Sequence, residues 1–496
     1  MSRGPDVATP GIRRTPVAAD HFDRARRVRP DIPSAKDDTE ASWWRLHAWT
    51  LAATFAILLT GMAFSFWWFP LVDHYPAWFT PTDLWSTYRD AQYVGWSGEG
   101  VLYNAGTFLE TLPGIAVALA PLAALAGALH LSESFPLALL RPSAWYLLGP
   151  ANLLLGALLL FPLDAIARRV SVTPTRRVTL TWLCAVLIWP VVAEWGHPED
   201  LVALAFALYG LMATSDEEWF RVGCFFGLAI VFQPLAVVLF PLALSRVPAR
   251  KWLPVLVEAG LPSGILLIAP LVQQWRATTT YLVKQPSFIG LNHTTPWAYL
   301  APVISPARTA FVKVAEKTRG LYGVDTLHEV TRKVIDIEIV AAGPERIIAL
   351  AIACTFGVWV GLKRPPLVQV LWFAAAALCL RCLVECVVDS YYLAPGALLA
   401  ILVASTLSTR RFATTVAAAG LATWATYWYT SPWHYYLAIT VLIVVLLACS
   451  APFVARDSAN RRPPMSAFDP RGTDDSSPRD VARPNPTGHE TRRLRH

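Results

Sequence analysis

Residues 48–69 read AWTLAATFAILLTGMAFSFWWF and contain no charged side chain. A bilayer span needs about 20 predominantly apolar residues, so this run is long enough to cross a membrane once. It begins too far from the N-terminus, and is too long, to be a cleaved signal peptide. The sequence therefore predicts that the fold starts with a retained membrane span.

Apolar runs of this kind recur along the chain as far as residue 454. Of the 496 residues, 55% are hydrophobic and only 16% are charged, which is typical of a membrane protein. We predict an all-α fold: a polytopic transmembrane helical bundle of roughly 10 to 12 spans over residues 42–455. Residues 1–41 and 456–496 are rich in Arg, Pro and Asp, so they are predicted to be disordered tails.

Basic residues are concentrated in the short connections between apolar runs, which is the positive-inside pattern and places these connections and both tails in the cytoplasm. The same pattern explains the net charge of +7 without nucleic acid. Read as a single span, residues 112–131 would put the first basic connection outside. A re-entrant hairpin broken at Pro113 and Pro121 would remove that conflict. The basic residues concerned are Arg168, Arg169, Arg176, Arg177, Arg246, Arg250, Lys251, Lys363, Arg364, Arg410, Arg411, Arg461 and Arg462.

The segment after the first span, residues 83–103, reads DLWSTYRDAQYVGWSGEGVLY, and its apolar positions recur at helical spacing. This predicts an amphipathic helix along the outer membrane surface. The order Asp83, Tyr88, a Gly-rich stretch and Leu102-Tyr103 before a Pro-containing span resembles the GT-C superfamily of membrane glycosyltransferases. The resemblance is closest to the bacterial α-mannosyltransferase branch, whose donor is a polyprenyl-phosphate sugar.

The resemblance implies that Asp83 is the base that takes the proton of the acceptor hydroxyl, since a carboxylate beside that group can act as the bond forms. It implies no cofactor beyond the polyprenyl-phosphate sugar, and a lipid or cell-envelope glycan as acceptor. The alternative is that Asp83 only caps the surface helix. Tyr88 and Arg89 are expected to bind substrate. Asp90 is the reserve base, although as an acid on a helix it is expected to be solvated.

A second polar motif, Glu194-Trp-Gly-His197-Pro-Glu199-Asp200, lies between two apolar runs. Polar groups at membrane depth are costly and commonly functional. Glu194, His197 and Glu199 are therefore predicted to bind donor or acceptor, while Asp200 is placed to cap the following helix. A zinc site would need further ligands at standard spacing, which this sequence does not supply.

Weaker candidates lie farther along the chain. Gln233 stands before a proline where the resembling enzymes often have Lys or Gln, so it is a candidate for contacting the lipid phosphate; a plain turn is the alternative. Lys284 and His293 belong to a loop that mixes aromatic and hydrogen-bonding groups, as carbohydrate-binding loops do; a solvated loop is the alternative. Arg381 and Glu385, four residues apart, are expected to form a structural ion pair.

Two other functions fit a chain of this type. A lipid or solute transporter or flippase would also have many spans, although related halves and broken helices at mid-membrane would be expected. A non-catalytic protein of envelope assembly would keep the scaffold without the chemistry. The acidic residues gather in the connections opposite the basic ones, which suits surface chemistry better than the conduction path of a transporter and leaves the assembly protein open.

Overall fold

The computed structural model describes residues 43–68, 82–98, 100, 102–103, 112–131, 143–289, 293–319, 325–341, 343–425 and 431–455. The predicted tails, residues 1–41 and 456–496, lie outside these ranges. The described part is mainly helical. Its α-helices are α1 Trp43–Ala63, α2 Thr82–Ser97, α3 Gly114–Ala128, α4 Trp145–Ala157, α5 Leu160–Arg169, α6 Pro174–Pro190, α7 Pro198–Ser215, α8 Trp219–Phe232, α9 Phe240–Leu244, α10 Trp252–Gln273, α11 Trp275–Lys284, α12 Pro344–Lys363, α13 Leu367–Val384, α14 Ser390–Ala404, α15 Thr409–Trp424 and α16 Pro432–Ser450.

Short helical turns join or extend several of these helices. Phe64–Trp68 and Val191–Trp195 are π-helical extensions of α1 and α6, and Pro234–Leu239, Ala249–Lys251, Pro296–Leu300 and Pro452–Ala455 are 3₁₀ turns. Apolar, often small side chains fill the space between the helices. One continuous core runs from Ala53 in α1 to Leu446 in α16.

Seven helical segments in the described ranges are long and apolar enough to cross a membrane: Leu46–Trp67, Trp145–Arg169, Pro174–Trp195, Ala249–Gln273, Pro344–Lys363, Leu367–Val384 and Pro432–Ser450. Shorter apolar helices cover Gly114–Ala128, Trp219–Phe232, Pro234–Leu244 and Tyr391–Ala404. A bilayer core of about 30 Å requires segments of the first kind. The prediction of a mainly helical fold with several apolar helices of membrane-spanning length is thus confirmed, while a count of 10 to 12 spans stays a prediction.

One end of the helices, called here the arginine end, gathers contacts made by the basic connections. Arg177 at the start of α6 donates to Asp164 at 2.9 Å, and Arg176 donates to the carbonyl oxygen of Ser405 after α14 at 3.0 Å. Arg411 binds carbonyl oxygens at the end of α16, among them that of Cys449. Guanidinium groups here satisfy carbonyls that helix ends leave without a partner.

The opposite end, called here the acidic end, holds the other polar motifs. Helix α6 begins at the arginine end and leads to His197, and α7 then returns from His197 to Asp216, which pairs with Arg169. Helix α8 leads back to Gln233, which hydrogen-bonds Asp200 in the first turn of α7. Polar groups therefore separate into two sets at opposite ends of the same helices.

Helix α2 has the predicted amphipathic pattern. Leu84, Tyr88 and Ala91 form its buried face at spacings of four and three residues, whereas Asp83 is exposed. Its position relative to a bilayer stays a prediction.

The hairpin predicted to break at Pro113 and Pro121 is wrong. Pro113 precedes α3, and Pro121 lies inside that one continuous helix, which runs beside α2. A Cβ atom on Gly114, the first residue of α3, would collide with the backbone oxygen of Val231 in α8. Only glycine therefore allows this close approach of α3 to the end of α8.

The helical prediction is confirmed for most of the described residues, but a long β-hairpin, which was not predicted, lies between α11 and α12. Strands β3 Val303–Arg319 and β4 Asp325–Val340 pair antiparallel, and β1 Ser287–Ile289 adds to β4. A second small sheet pairs β2 His293–Thr294 with β5 Val387–Val388. At the end of β4, residues 335–339 read IDIEI, and this alternation of β-branched and charged residues has the strand period. The segment was predicted to be a connection, so this short strand signal was not recognised.

Candidate functional site

Asp83 lies in the first turn of α2 at the acidic end, and its side chain is 50% exposed. Its Oδ2 atom is 3.0 Å from the Nε2 atom of His197. These residues are 114 positions apart in the chain. Tertiary structure thus joins the two motifs that the sequence singled out separately.

The backbone around His197 explains how its ring reaches Asp83. Gly196 adopts φ +79°, a left-handed conformation that ends the π-helical turn after α6. The backbone N–H groups of Gly196 and His197 both donate to the carbonyl oxygen of Val191. Pro198 then starts α7 at the position where its missing N–H costs nothing. The imidazole is held by this tight turn rather than by a mobile loop.

Two further contacts fix the imidazole of His197, and a second aromatic ring supports one of them. Its Nδ1 atom is 2.6 Å from Oε1 of Glu199, whose side chain is only 10% exposed. The ring of Tyr391 stacks on the imidazole with centroids 4.1 Å apart and planes 13° apart. Trp195 contacts the same tyrosine ring at a centroid distance of 5.4 Å. Asp83, His197 and Glu199 therefore form one hydrogen-bonded row with an aromatic wall.

The charges of Glu199 and Asp83 affect the protonation of His197. Burial lowers the pKa of His197, but the carboxylates of Glu199 and Asp83 raise it by more, and the pKa of His197 lies well above its ordinary value. Both ring nitrogens then carry protons and donate, Nε2 to Asp83 and Nδ1 to Glu199. Since an imidazolium between two carboxylates is a charge-assisted arrangement, it holds Oδ2 of Asp83 firmly.

A layer of buried charges lies behind the row. Asp200 accepts a hydrogen bond of 2.6 Å from the side-chain amide of Gln233, and the guanidinium of Arg381 lies close enough to act on Asp200 electrostatically. The Nε atom of Arg381 is 2.8 Å from Glu385, and its guanidinium lies over the ring of Tyr392. The predicted Arg381–Glu385 pair is confirmed, but it is buried and borders the site.

The contacts of Asp200 and Gln233 in this layer differ from the roles predicted for them. Asp200 was predicted to cap α7, but its carboxylate binds Gln233 instead, and His197 occupies the capping position. Gln233 was predicted to contact a lipid phosphate. Its amide is bound to Asp200, so the structure gives it a supporting position behind the row.

The other predicted residues of α2 lie farther along that helix. Tyr88 is fully buried and Arg89 is partly exposed. The expectation that Asp90 is solvated is wrong, since it is 1% exposed. Burial, and then the nearby Asp90, raises the pKa of Tyr103. Asp83 and Asp90 are seven residues apart and so share nearly the same face of α2; the difference in their exposure comes from what packs around each part of the helix.

Of the remaining predicted residues, Glu194 is partly exposed in the π-helical turn that leads to His197. Lys284 is exposed at the end of α11 and has no ion pair within the described part of the chain. His293 lies in β2 opposite Val388 of β5, three residues before Tyr391. This pairing brings the segment of His293 to the border of the row, while its side chain is not among those described.

The position of Arg381 beside the site, near Asp200, was not predicted from the sequence. A buried arginine in an apolar helix was itself a sign of function, because charges at membrane depth are expensive.

Among the described residues, no group of three or more His, Cys, Asp or Glu side chains could hold a metal ion. No family model and no curated protein matches the chain.

Proposed function

We propose that this protein is a membrane glycosyltransferase of the GT-C type. It transfers a sugar, mannose by resemblance, from a polyprenyl-phosphate donor to a lipid or cell-envelope glycan acceptor. The observation that carries the proposal is the contact of 3.0 Å between Asp83 and His197. Two motifs chosen independently on chemical grounds meet in a half-exposed carboxylate held by a partly buried imidazole.

In this proposal Oδ1 of Asp83, the carboxylate oxygen that His197 does not contact, takes the proton of the acceptor hydroxyl. The acceptor oxygen attacks the anomeric carbon from the face opposite the phosphate. The bond between that carbon and the phosphate oxygen breaks, the electron pair leaves with the phosphate, and the configuration at the anomeric carbon inverts. His197 engages Oδ2, so the carboxylate presents its other oxygen in a fixed direction.

The departing phosphate gains negative charge and needs cations near it. Arg89, Lys284 and His293 are the candidates for this role. The pairing of β2 with β5 supports His293, because it brings that strand toward Tyr391. Arg381 is a weaker candidate, since Glu385 already neutralises it.

We further propose that the arginine end faces the cytoplasm and the acidic end the opposite side, with both termini cytoplasmic. Clustering of the basic connections at one end supports this orientation through the positive-inside rule. The back-and-forth course of α6, α7 and α8 supports roughly 10 to 12 crossings, in which helices shorter than the usual span take part.

The direct test compares membranes that contain the unmodified protein with membranes that contain Asp83→Asn. Both are supplied with labelled polyprenyl-phosphate mannose, and sugar transfer to lipid or glycan is measured. Because a general base contributes about 10²- to 10⁴-fold to rate, Asp83→Asn is expected to lower transfer by at least about 10²-fold. Asp216→Asn, a matched exposed change at the arginine end, should leave transfer nearly intact.

Two outcomes would contradict the proposal: no transfer by the unmodified protein, or equal transfer by Asp83→Asn. Movement of labelled lipid or sugar across sealed vesicles without any transfer would favour a transporter instead. That measurement separates the two functions in the same preparation.

A further inference from the structure

Five cations lie in two neighbouring connections at the arginine end, and we call them the cationic patch. Its members are Arg246, Arg250, Lys251, Lys363 and Arg364. A hydrogen bond from the guanidinium of Arg246 to the carbonyl oxygen of Pro365 joins the two connections. The chain contains no acid between residues 245 and 251 or between residues 363 and 366. The patch is therefore a local excess of positive charge.

Two arginines elsewhere at this end have anionic partners. Arg169 pairs with Asp216, and Arg177 pairs with Asp164. In contrast, Arg250, Lys363 and Arg364 are exposed and have no carboxylate partner among the described residues. The difference indicates that these exposed cations can bind an anionic ligand from outside the chain.

The arrangement within the patch concentrates this charge. Arg246 is partly buried and pinned by Pro365, and its Nε atom has no acceptor in the described part of the chain. Burial, and then the positive charge of Arg364, lowers the pKa of Arg246. Arg364 ends α12 in a left-handed conformation, with its backbone N–H bonded to Val360. Two like charges held close to each other by the backbone are stabilised by an anion between them.

The rim of the patch is apolar. The indole N–H of Trp252 donates to the carbonyl oxygen of Val247 at 2.9 Å, which leaves the ring half exposed. Leu253 and Leu362 beside the cations are 72% and 78% exposed. Tryptophan favours the headgroup layer, and such leucines favour hydrocarbon. A ligand that satisfies both surfaces carries a negative headgroup and acyl chains.

We propose that the cationic patch binds the phosphate headgroup of an anionic phospholipid in the leaflet at the arginine end. Arg246 and Arg364 take the phosphate oxygens, while Lys363, Arg250 and Lys251 supply surrounding positive charge. The acyl chains pass beside Leu253 and Leu362. This site rests on the embedding of the chain in a membrane and is independent of glycosyl transfer.

The test uses the purified full-length chain in detergent and counts bound lipids by native mass spectrometry. Phosphatidylglycerol is the anionic probe, phosphatidylcholine the zwitterionic one, and excess inorganic phosphate the competitor. A basic residue near an anionic surface contributes about 1 kcal/mol, or about fivefold. The double variant Lys363→Gln/Arg364→Gln is therefore expected to bind phosphatidylglycerol about 25-fold more weakly.

Arg410→Gln is the matched control, because Arg410 is exposed at the same end and outside the patch. It should retain the affinity of the unmodified protein within about twofold, since a single distant charge is screened over about 10 Å. Equal binding of phosphatidylcholine, unchanged binding by the double variant, or an equal loss in Arg410→Gln would overturn the proposal. Complete displacement by inorganic phosphate would overturn the lipid assignment. Unchanged thermal unfolding of the double variant shows that its fold is intact.

Discussion

Glu199→Gln replaces a carboxylate with an amide of the same shape, 2.6 Å from the Nδ1 atom of His197. The amide keeps an oxygen that accepts a hydrogen bond, but it carries no charge to stabilise the imidazolium. A hydrogen bond to a charged group contributes about 1.5–3 kcal/mol, and one pKa unit corresponds to about 1.4 kcal/mol. We therefore expect the variant to lower the pKa of His197, because the carboxylate that raises it is removed.

The direction of the pH effect follows from the raised pKa of His197. A raised pKa means that the stabilising contact of the imidazolium with Asp83 is complete below the ordinary pKa of histidine. It is lost as the pH rises through the pKa of the folded protein. In Glu199→Gln that loss comes at lower pH, so the alkaline limb of the activity profile should move to lower pH.

The pH dependence of kcat/KM for sugar transfer in membrane vesicles measures this limb. Histidine NMR, with the His197 signal assigned by its absence in His197→Gln, follows the titration independently of activity. Glu217→Gln, at an exposed glutamate of the arginine end, is the control. A profile that superimposes on that of the unmodified protein would refute the assigned part of Glu199. An equal loss of activity at every pH would also refute it, provided the fold is intact.

Two further changes test how the site is supported. Gly114→Ala should lower the free energy of unfolding by about 1–3 kcal/mol, because the new Cβ meets the backbone oxygen of Val231. Thermal unfolding measures this loss. Gly260→Ala, which adds a methyl group in open space, is the control. Tyr391→Phe keeps the ring stacked on His197 and should cost only about 1 kcal/mol through its hydroxyl. Tyr391→Ala removes a buried ring and should cost about 3–5 kcal/mol in unfolding free energy, with a clear loss of transfer; equal effects of Phe and Ala would contradict a stacking role.

The sequence was a good guide to segments and a poor guide to their partners. Apolar runs are local, so spans such as Leu46–Trp67 could be predicted from residue order alone. The hairpin of β3 and β4 was missed because its strand period lies inside a segment read as a loop. The predicted break at Pro121 failed because the chain around that proline packs as a continuous helix against α2.

The candidate residues also separate into those that the sequence could identify and those whose contacts it could not. Asp83 and His197 could be chosen from their motifs, since a carboxylate or an imidazole beside an apolar span is unusual by composition alone. The burial of Asp90 and the binding of Gln233 to Asp200 could not be predicted from the sequence. Both depend on how helices pack against their neighbours and on contacts between distant segments.

By itself, the sequence determined which segments are apolar and long enough to cross a membrane, and which connections are basic or acidic, because hydropathy and charge act on each segment separately. Tertiary structure alone decided that Asp83, His197 and Glu199 form one row with Tyr391 against it. The physical reason is that a hydrogen bond of about 3 Å depends on where helix ends meet in space, and packing between helices fixes that place.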